Sequence, residues 1–246
     1  MDKKTGIEFI QSTKNANLGE SPQKNGEPKP PVEISLESEA EVIDLPPGRG
    51  IGEINVDFPE LVEKRESLRK YTGTPLTMQE LSLLLWGTQG VKAQTARELT
   101  KRTVPSAGSR HPFETYLLVN NVEGLTPGLY RYLAVDHKLA RLPGHENINH
   151  MLTEACLKQQ HVKNSAVTFA WAAVPQRTVW RYAQRGYRYL YLDAGHACQN
   201  LYLLAETIDC GVCAIAAFDD DLVNQALDLD GENRFVIYLA SLGKRK

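Results

Sequence analysis

Three groups of residues carry the chemical potential of this chain. Arg65, Ser67 and Arg69, in KRESLRKYTGTPLT, set two guanidiniums and a hydroxyl close together. Such a set can grip a phosphate, because arginine donates through a planar, bidentate fork. The same residues could instead form a solvated helix face paired to Glu63 and Glu66. The second group is VPSAGSRHP (104–112). Gly108 has no side chain, so the backbone of Pro105, Ser106, Ala107, Gly108 and Ser109 can approach a flat ligand closely. A plain connecting loop would have the same composition. The third group is the Cys210–Cys213 pair, with His196 and Cys198 upstream. A zinc deaminase would need Glu two residues after the histidine and Pro before the pair, where Cys198 and Asp209 stand. A thioredoxin-like pair would open a helix after a strand, whereas this one follows a predicted helix. Small buried thiols are therefore expected, and no metal site is predicted. GRGIG (48–52) has no strand before it and no GxGxxG opens a helix, so no resident dinucleotide fold is indicated.

These residues need elements to hold them. A helix is expected from Phe58, running through FPELVEKRESLRKY and placing Arg65–Arg69 near its C-terminal end. Thr77 and Glu80 form a capping-box signature ahead of LSLLLWGTQGV, which predicts a helix over 77–88. The polar, basic stretch 92–104 reads as a mobile loop. TYLLVNN (115–121) and AVTFAWAAV (166–174) read as buried strands, LYRYLAV and KLARL as a hairpin, and 147–160 as a helix. From 188 to 208 apolar residues cover nearly the whole circumference of a predicted helix, which must lie in the core or at a subunit interface. FVIYLASL (235–242) is a further buried strand. Strands separated by helices with one hairpin define an α+β or α/β domain. Residues 1–55 contain six prolines and few apolar runs. They cannot build a core of their own and form either a disordered leader or an extended N-terminal arm on a domain spanning 56–246; the spaced apolar residues Ile34, Leu36, Val42, Ile43 and Leu45 favour the arm.

The 246 residues carry a formal net charge of −2, which argues against a nucleic-acid footprint. Four cysteines are too few for a disulfide scaffold of this size. No secretory signal and no span of about 18 apolar residues is present, so a cytoplasmic protein is expected.

Taken in order, Arg-x-Ser-x-Arg-x-Tyr, LTxxELxxLLW, PSAG before a strand, LDAGHxxQNLYLxAE, AFDD and a last strand ending in Gly form one pattern. It resembles the nitroreductase superfamily, in particular its SagB-type dehydrogenase branch, which includes the azoline-oxidising members of thiazole- and oxazole-forming systems. The resemblance runs from about residue 60 to the C-terminus. GIEFIQSTK and KPPVEI are also similar to the leaders of stand-alone members. It implies an α+β fold with a central, mainly antiparallel sheet, an intertwined homodimer and FMN at the dimer interface. Arg65, Ser67 and Arg69 then match the FMN-phosphate positions, and Lys244 and Arg245 a basic C-terminal position reaching the same phosphate. Pro105, Ser106, Ala107 and Gly108 match the loop lining the flavin ring, with Ser109 where many relatives have Asn. Gln159, or Gln160 beside it, matches a glutamine near the flavin. Ala216 and Ala217 match backbone positions at the ring's reactive nitrogen, the second being Gly in many relatives. Azoline oxidases carry a Lys-Tyr pair where this chain has Arg181-Tyr182, and arginine makes a poor general base. The implied activity is a two-step hydride transfer from NAD(P)H through FMN to a small organic acceptor. The alternatives are an azoline-type dehydrogenase acting on a peptide with partner proteins, or a flavin-binding protein without turnover. Tyr182, Tyr187 and His111 are the candidate proton donors.

Overall fold

The computed structural model describes residues 4–36, 40–96, 99–143 and 145–246. The arm opens with helix α1 (Lys4–Ser12) and later contributes strand β1 (Glu41–Asp44). Helix α2 (Phe58–Lys64) is capped by Asp57, whose side chain accepts from the Glu60 N–H, and has Pro in its first turn. It stops earlier than its sequence suggests. The Leu68 N–H donates to the Val212 carbonyl at 2.8 Å, so residues 65–69 are drawn out as a partner for a strand instead of continuing the helix. Helix α3 (Met78–Gln89) begins as expected, with both bonds of the Thr77–Glu80 capping box formed.

The stretch expected as a mobile loop is instead a hairpin of β2 (Val91–Gln94) and β3 (Thr100–Arg102). Arg97 and Glu98 lie outside the described residues. The cause is Arg102, which turns inward and donates to Gln89 Oε1 at 3.0 Å and to the Val32 carbonyl of the arm at 3.3 Å. Strands β4 (Phe113–Val119), β5 (Gly128–Leu133) and β6 (Lys138–Arg141) follow. The helix expected over 147–160 splits into α4 (Ile148–Ala155) and α5 (Gln160–Lys163), because Leu157 and Lys158 take φ of 54° and 61°. The remaining elements are β7 (Val167–Ala173), α6 (Gln176–Tyr182), α7 (Gly186–Glu206), β8 (Cys210–Ile215), α8 (Asp220–Ala226) and β9 (Phe235–Lys244).

Seven strands form one sheet in the order β1-β6-β5-β4-β7-β9-β8, and every pairing is antiparallel. The fold is α+β, a central antiparallel sheet flanked by helices. Alternation along β7 sends Phe169 and Trp171 to one face and Ala170 and Ala172 to the other. The first face packs with Leu81, Leu84 and Leu85 of α3 and Leu190 and Leu201 of α7. The second packs with Leu152 of α4 and Val223 of α8. Helix α7 buries Leu190, Ala194, Ala197, Leu201 and Ala205 in the core, while Tyr191 and Leu192 remain 63% and 58% exposed. No helix among the described residues is long and apolar enough to cross a membrane.

The arm is bound to this body. β1 pairs with β6 in register Glu41↔Arg141 to Asp44↔Lys138. Arm carbonyls ahead of β1 also satisfy buried cations: Pro31 accepts from Arg177 Nε at 2.8 Å and Ile34 from Arg131 Nη2 at 2.8 Å.

Candidate functional site

Arg65, Ser67 and Arg69 line up on the extended segment that bridges to Val212 of β8. The Arg65 guanidinium stacks 5.4 Å from the Tyr202 ring. Tyr202 Oη accepts from the Ala214 N–H at 2.9 Å and lies 3.0 Å from Ser67 Oγ. With the tyrosine oxygen already accepting, its proton is free for Ser67, and the serine keeps its own proton to donate outward. Neither Arg65 nor Arg69 has a carboxylate partner among the described residues. Glu66, the neighbour that might have neutralised them, pairs with Arg245 at 3.0 Å. Two arginines and a hydroxyl on an exposed segment, with their charge uncompensated, suit a phosphate.

Lys244 and Arg245 are used differently. Lys244 is paired with Glu80 of the capping box and donates to the Ile208 carbonyl at 2.8 Å. Arg245 is held by Glu206 as well as Glu66. Both cations are paired within the chain, whereas Arg65 and Arg69 have no carboxylate partner among the described residues.

A hydrogen-bond chain, buried at His161 and Ser241, ties this segment to Ala216 and Ala217, which are exposed just past β8. Gln159 Nε2 donates to the Ala217 carbonyl at 2.8 Å and to the Cys156 carbonyl at 2.9 Å. Those two acceptors fix the amide, so Oε1 faces His161 Nε2 at 3.1 Å. His161 must then carry its proton on Nε2 and accept at Nδ1 from Ser241 Oγ, 2.8 Å away. With the Ser241 proton given to His161, Tyr71 Oη donates across the 2.8 Å contact to Ser241 Oγ, and the Leu68 carbonyl at 2.9 Å is the alternative acceptor for that same tyrosine proton. Burial, and then the charge of Arg69, hold His161 below its ordinary pKa, which agrees with a neutral ring. The side chain of Gln160, the competitor of Gln159, donates to the Lys158 carbonyl at 3.2 Å. His161 and Ser241 escaped the sequence reading, as did the role of Tyr71. Tyr71 was visible as the last residue of Arg-x-Ser-x-Arg-x-Tyr, but nothing local linked it to a serine 170 residues away.

The Pro105–Ser109 loop lies elsewhere. Gly108 has φ of 59°, and a Cβ there would sit 2.6 Å from Tyr182 Oη and 3.0 Å from Arg181 Cδ. Only glycine allows both the conformation and the approach. Ser106 Oγ accepts from the His111 N–H at 2.9 Å. Beneath the loop, Asp193 is buried with Oδ2 unpartnered. Burial raises its carboxyl pKa, while the Ser106 hydroxyl and the Ala107 N–H pull it back down. Asp193, in the LDAGH stretch, was also missed. Of the three candidate proton donors, Tyr182 reaches this loop, with its ring edge-on to Tyr189 at 4.9 Å. Tyr187 packs against the core. His111 is buried, and desolvation with the Arg102 charge lowers its pKa to about 3, which favours the neutral ring.

All four cysteines are free and buried. Cys210 and Cys213 lie on β8, and burial raises the Cys210 thiol to about 12. Among the described residues no three His, Cys, Asp or Glu side chains gather as a metal site.

A central antiparallel sheet flanked by helices is the fold of nitroreductase-type proteins. The Nitroreductase family profile matches residues 62–244, and the chain belongs to that family. A nitroreductase-like protein of Methanocaldococcus jannaschii is 33% identical over 190 residues, covering 77% of this chain and 92% of the relative. The trifolitoxin-processing protein TfxB of Rhizobium leguminosarum bv. trifolii is 28% identical over 58% of this chain, which spans only 39% of that protein. Among solved structures, a nitroreductase-like protein of Anabaena variabilis superposes with a TM-score of 0.68 at 26% identity, covering 87% of this chain and 45% of its own. The E. coli microcin synthetase McbBCD complex with truncated pro-MccB17 bound shares the fold at a TM-score of 0.62 and 18% identity, over 97% of this chain and 86% of that one. The NADPH:FMN oxidoreductase of Vibrio harveyi complexed with NAD+ does so at 0.56 and 16% identity, over 77% and 69%.

Proposed function

We propose that this nitroreductase-family oxidoreductase is FMN-dependent and transfers hydride from NAD(P)H to a small organic acceptor, working as a cytoplasmic homodimer. The observation that carries the reading is the uncompensated Arg65–Ser67–Arg69 grip, hydrogen-bonded through Tyr71, Ser241, His161 and Gln159 to the Ala217 carbonyl. A phosphate and a flat ring are the two ends of FMN, and this chain supplies a cation pair for one and an exposed backbone turn for the other. FMN supplies the hydride chemistry when bound; the protein's part is binding, orientation and proton placement. Arg65 and Arg69 would hold the phosphate with Ser67. Gln159 would fix the 216–217 backbone, and Tyr182 is the side chain placed to move a proton beside Gly108.

The homodimer reading follows from α7. Asp193, under the Pro105–Ser109 loop, and Tyr202, under Arg65, are nine positions apart on that helix. That is two and a half turns, so they lie on opposite flanks, roughly 13 Å apart along the axis. The outer face of the helix exposes Tyr191 and Leu192, and nothing lies within 4 Å of a Cβ built at Gly195. A ligand that uses both loop and arginine grip is most simply completed by a second copy packed on this face. Residues 1–55 are read as an arm of the same folding unit.

The Arg65→Ala, Arg69→Ala double variant tests the assignment. It removes charge-assisted contacts of about 1.5–3 kcal/mol each, so the folded protein should purify largely colourless. Full yellow flavin content in that variant would exclude the grip.

A second reading is favoured by the similarity to TfxB, a protein named for trifolitoxin processing. In it, the chain is an azoline-type dehydrogenase acting on a peptide with partner proteins. Arg181 in the position of the azoline oxidases' lysine counts against it. Anaerobic reduction of the bound flavin by NADH or NADPH, without any peptide, would favour the first reading.

A further inference from the structure

Four arginines, Arg110 just after the Pro105–Ser109 loop and Arg181, Arg185 and Arg188 along the stretch from α6 into α7, add positive charge to this part of the chain. Two have clear structural work. Arg185 Nη1 donates to the Thr13 carbonyl at 3.0 Å, and Arg188 donates to Thr13 Oγ1 at 2.6 Å and to the Ile10 carbonyl. They close the C-terminal end of α1, where cations are favoured.

Arg110 and Arg181 have no such explanation. Arg110 is 2% exposed, yet its contacts are the Arg177 carbonyl at 2.8 Å and the face of Trp180 at 4.9 Å. Arg181 is exposed and runs over the flavin-lining loop, its Nε 3.1 Å from where a Cβ on Gly108 would stand. Among the described residues no carboxylate pairs with either. Glu114 is bound to Arg177 and Glu33 accepts from the Val135 N–H, while Asp193 beneath the loop meets Ser106 and Ala107 and is not among the charges acting on Arg110. Burial, and then the positive charges of Arg181 and Arg177, push Arg110 below its ordinary pKa. A buried cation facing like charge without a counter-ion destabilises the fold. An arriving anion would relieve that cost.

We propose that Arg181, backed by Arg110, is an anion-recognition point at the lip of this loop, so that the molecule taken up there carries a carboxylate or a phosphate. The proposal rests on reading Pro105–Ser109 as the loop lining the flavin. The anion could belong to the electron acceptor or be the ribose phosphate that distinguishes NADPH from NADH; the recognition chemistry is the same.

The holoprotein and its Arg181→Gln and Arg181→Lys variants should be assayed with 4-nitrobenzoate against 4-nitrobenzamide, and with NADPH against NADH. The same two nitro compounds should be titrated at equilibrium against tryptophan fluorescence, since Trp180 stacks on Arg110. The Gln variant should lose about tenfold in kcat/KM for the charged member of one pair. It should stay within about twofold for the neutral member, and the Lys variant should recover part of the loss. Selective loss with 4-nitrobenzoate, matched by weaker binding, places the anion on the acceptor. Selective loss with NADPH places it on the donor. Equal losses with charged and neutral partners, or no loss, overturn the proposal while leaving the flavin reading intact. If the wild type proves to hold no flavin, that reading fails, and the titration still decides whether Arg181 discriminates by charge.

Discussion

Replacing Ser241 by Ala would cut the buried chain at its centre. Ser241 is fully buried and its hydroxyl bonds to His161 Nδ1 and Tyr71 Oη, each at 2.8 Å. The two losses are unequal. Tyr71 keeps the Leu68 carbonyl as acceptor, so it forfeits an ordinary bond of about 0.5–1.5 kcal/mol. His161 Nδ1 has no other partner and becomes a buried, unsatisfied acceptor, costing about 1–3 kcal/mol. One missing oxygen leaves little cavity, so the sum stays near 2–3 kcal/mol. Urea unfolding should show a midpoint lowered by roughly 1 M. Because the chain joins the Leu68 segment to Ala217, flavin should also dissociate more readily, read as retention after dialysis. An unmoved midpoint would deny the network its energy. A lowered midpoint with unchanged flavin retention would deny that it couples the two ends.

Three further outcomes follow from the geometry. His111 has a folded pKa of about 3, below the roughly 6.5 of an unfolded chain. The unfolded state therefore takes its proton first, and stability present above pH 6.5 falls by about 1.4 kcal/mol per unit below it. His137 and His161, lowered in the same direction, steepen the fall; equal unfolding free energies at pH 7 and 5 would contradict this. Gly195→Arg introduces a charge on the exposed stripe of α7, and should convert a dimer to monomers and release flavin, as light scattering and absorbance would report. A flavin-bound monomer of the wild type would remove the basis for that expectation. Changing Cys210 and Cys213 together to Ala should leave nicotinamide-dependent flavin reduction within a few-fold, with some lost stability. A folded, flavin-loaded variant without activity would restore the pair as chemistry.

The fold was legible where periodicity or capping spoke locally: the Thr77–Glu80 box, the buried strands β4, β7 and β9, the β5–β6 hairpin and the long α7. It was illegible where a distant partner decided. Arg65–Arg69 left the helix because Val212 captured Leu68, and 91–102 became a hairpin because the arm and Gln89 held Arg102. β8 went unread because CGVC was weighed only as chemistry. The arginine grip and the PSAG loop showed their residue types in the sequence. The carboxylates that occupy Lys244 and Arg245, and the path through His161 and Ser241, depend on pairs far apart in the chain.

The arm's place at the sheet edge has a consequence for how the chain is made. Glu41–Asp44 emerges from the ribosome about a hundred residues before its partner, Lys138–Arg141, and the carbonyls that receive Arg131 and Arg177 also emerge well ahead of them. During that interval the arm is an unmated strand, the kind of segment that recruits neighbouring nascent chains. Its prolines, which cannot donate to a ladder, and its charged, mostly polar stretches keep it from pairing prematurely. Until it docks, β6 is a bare sheet border, and Arg131 Nη2 and Arg177 Nε lack the arm carbonyls that receive them. Closure of the arm is thus the step that turns a nearly complete sheet into one that no longer offers β6 for templated aggregation.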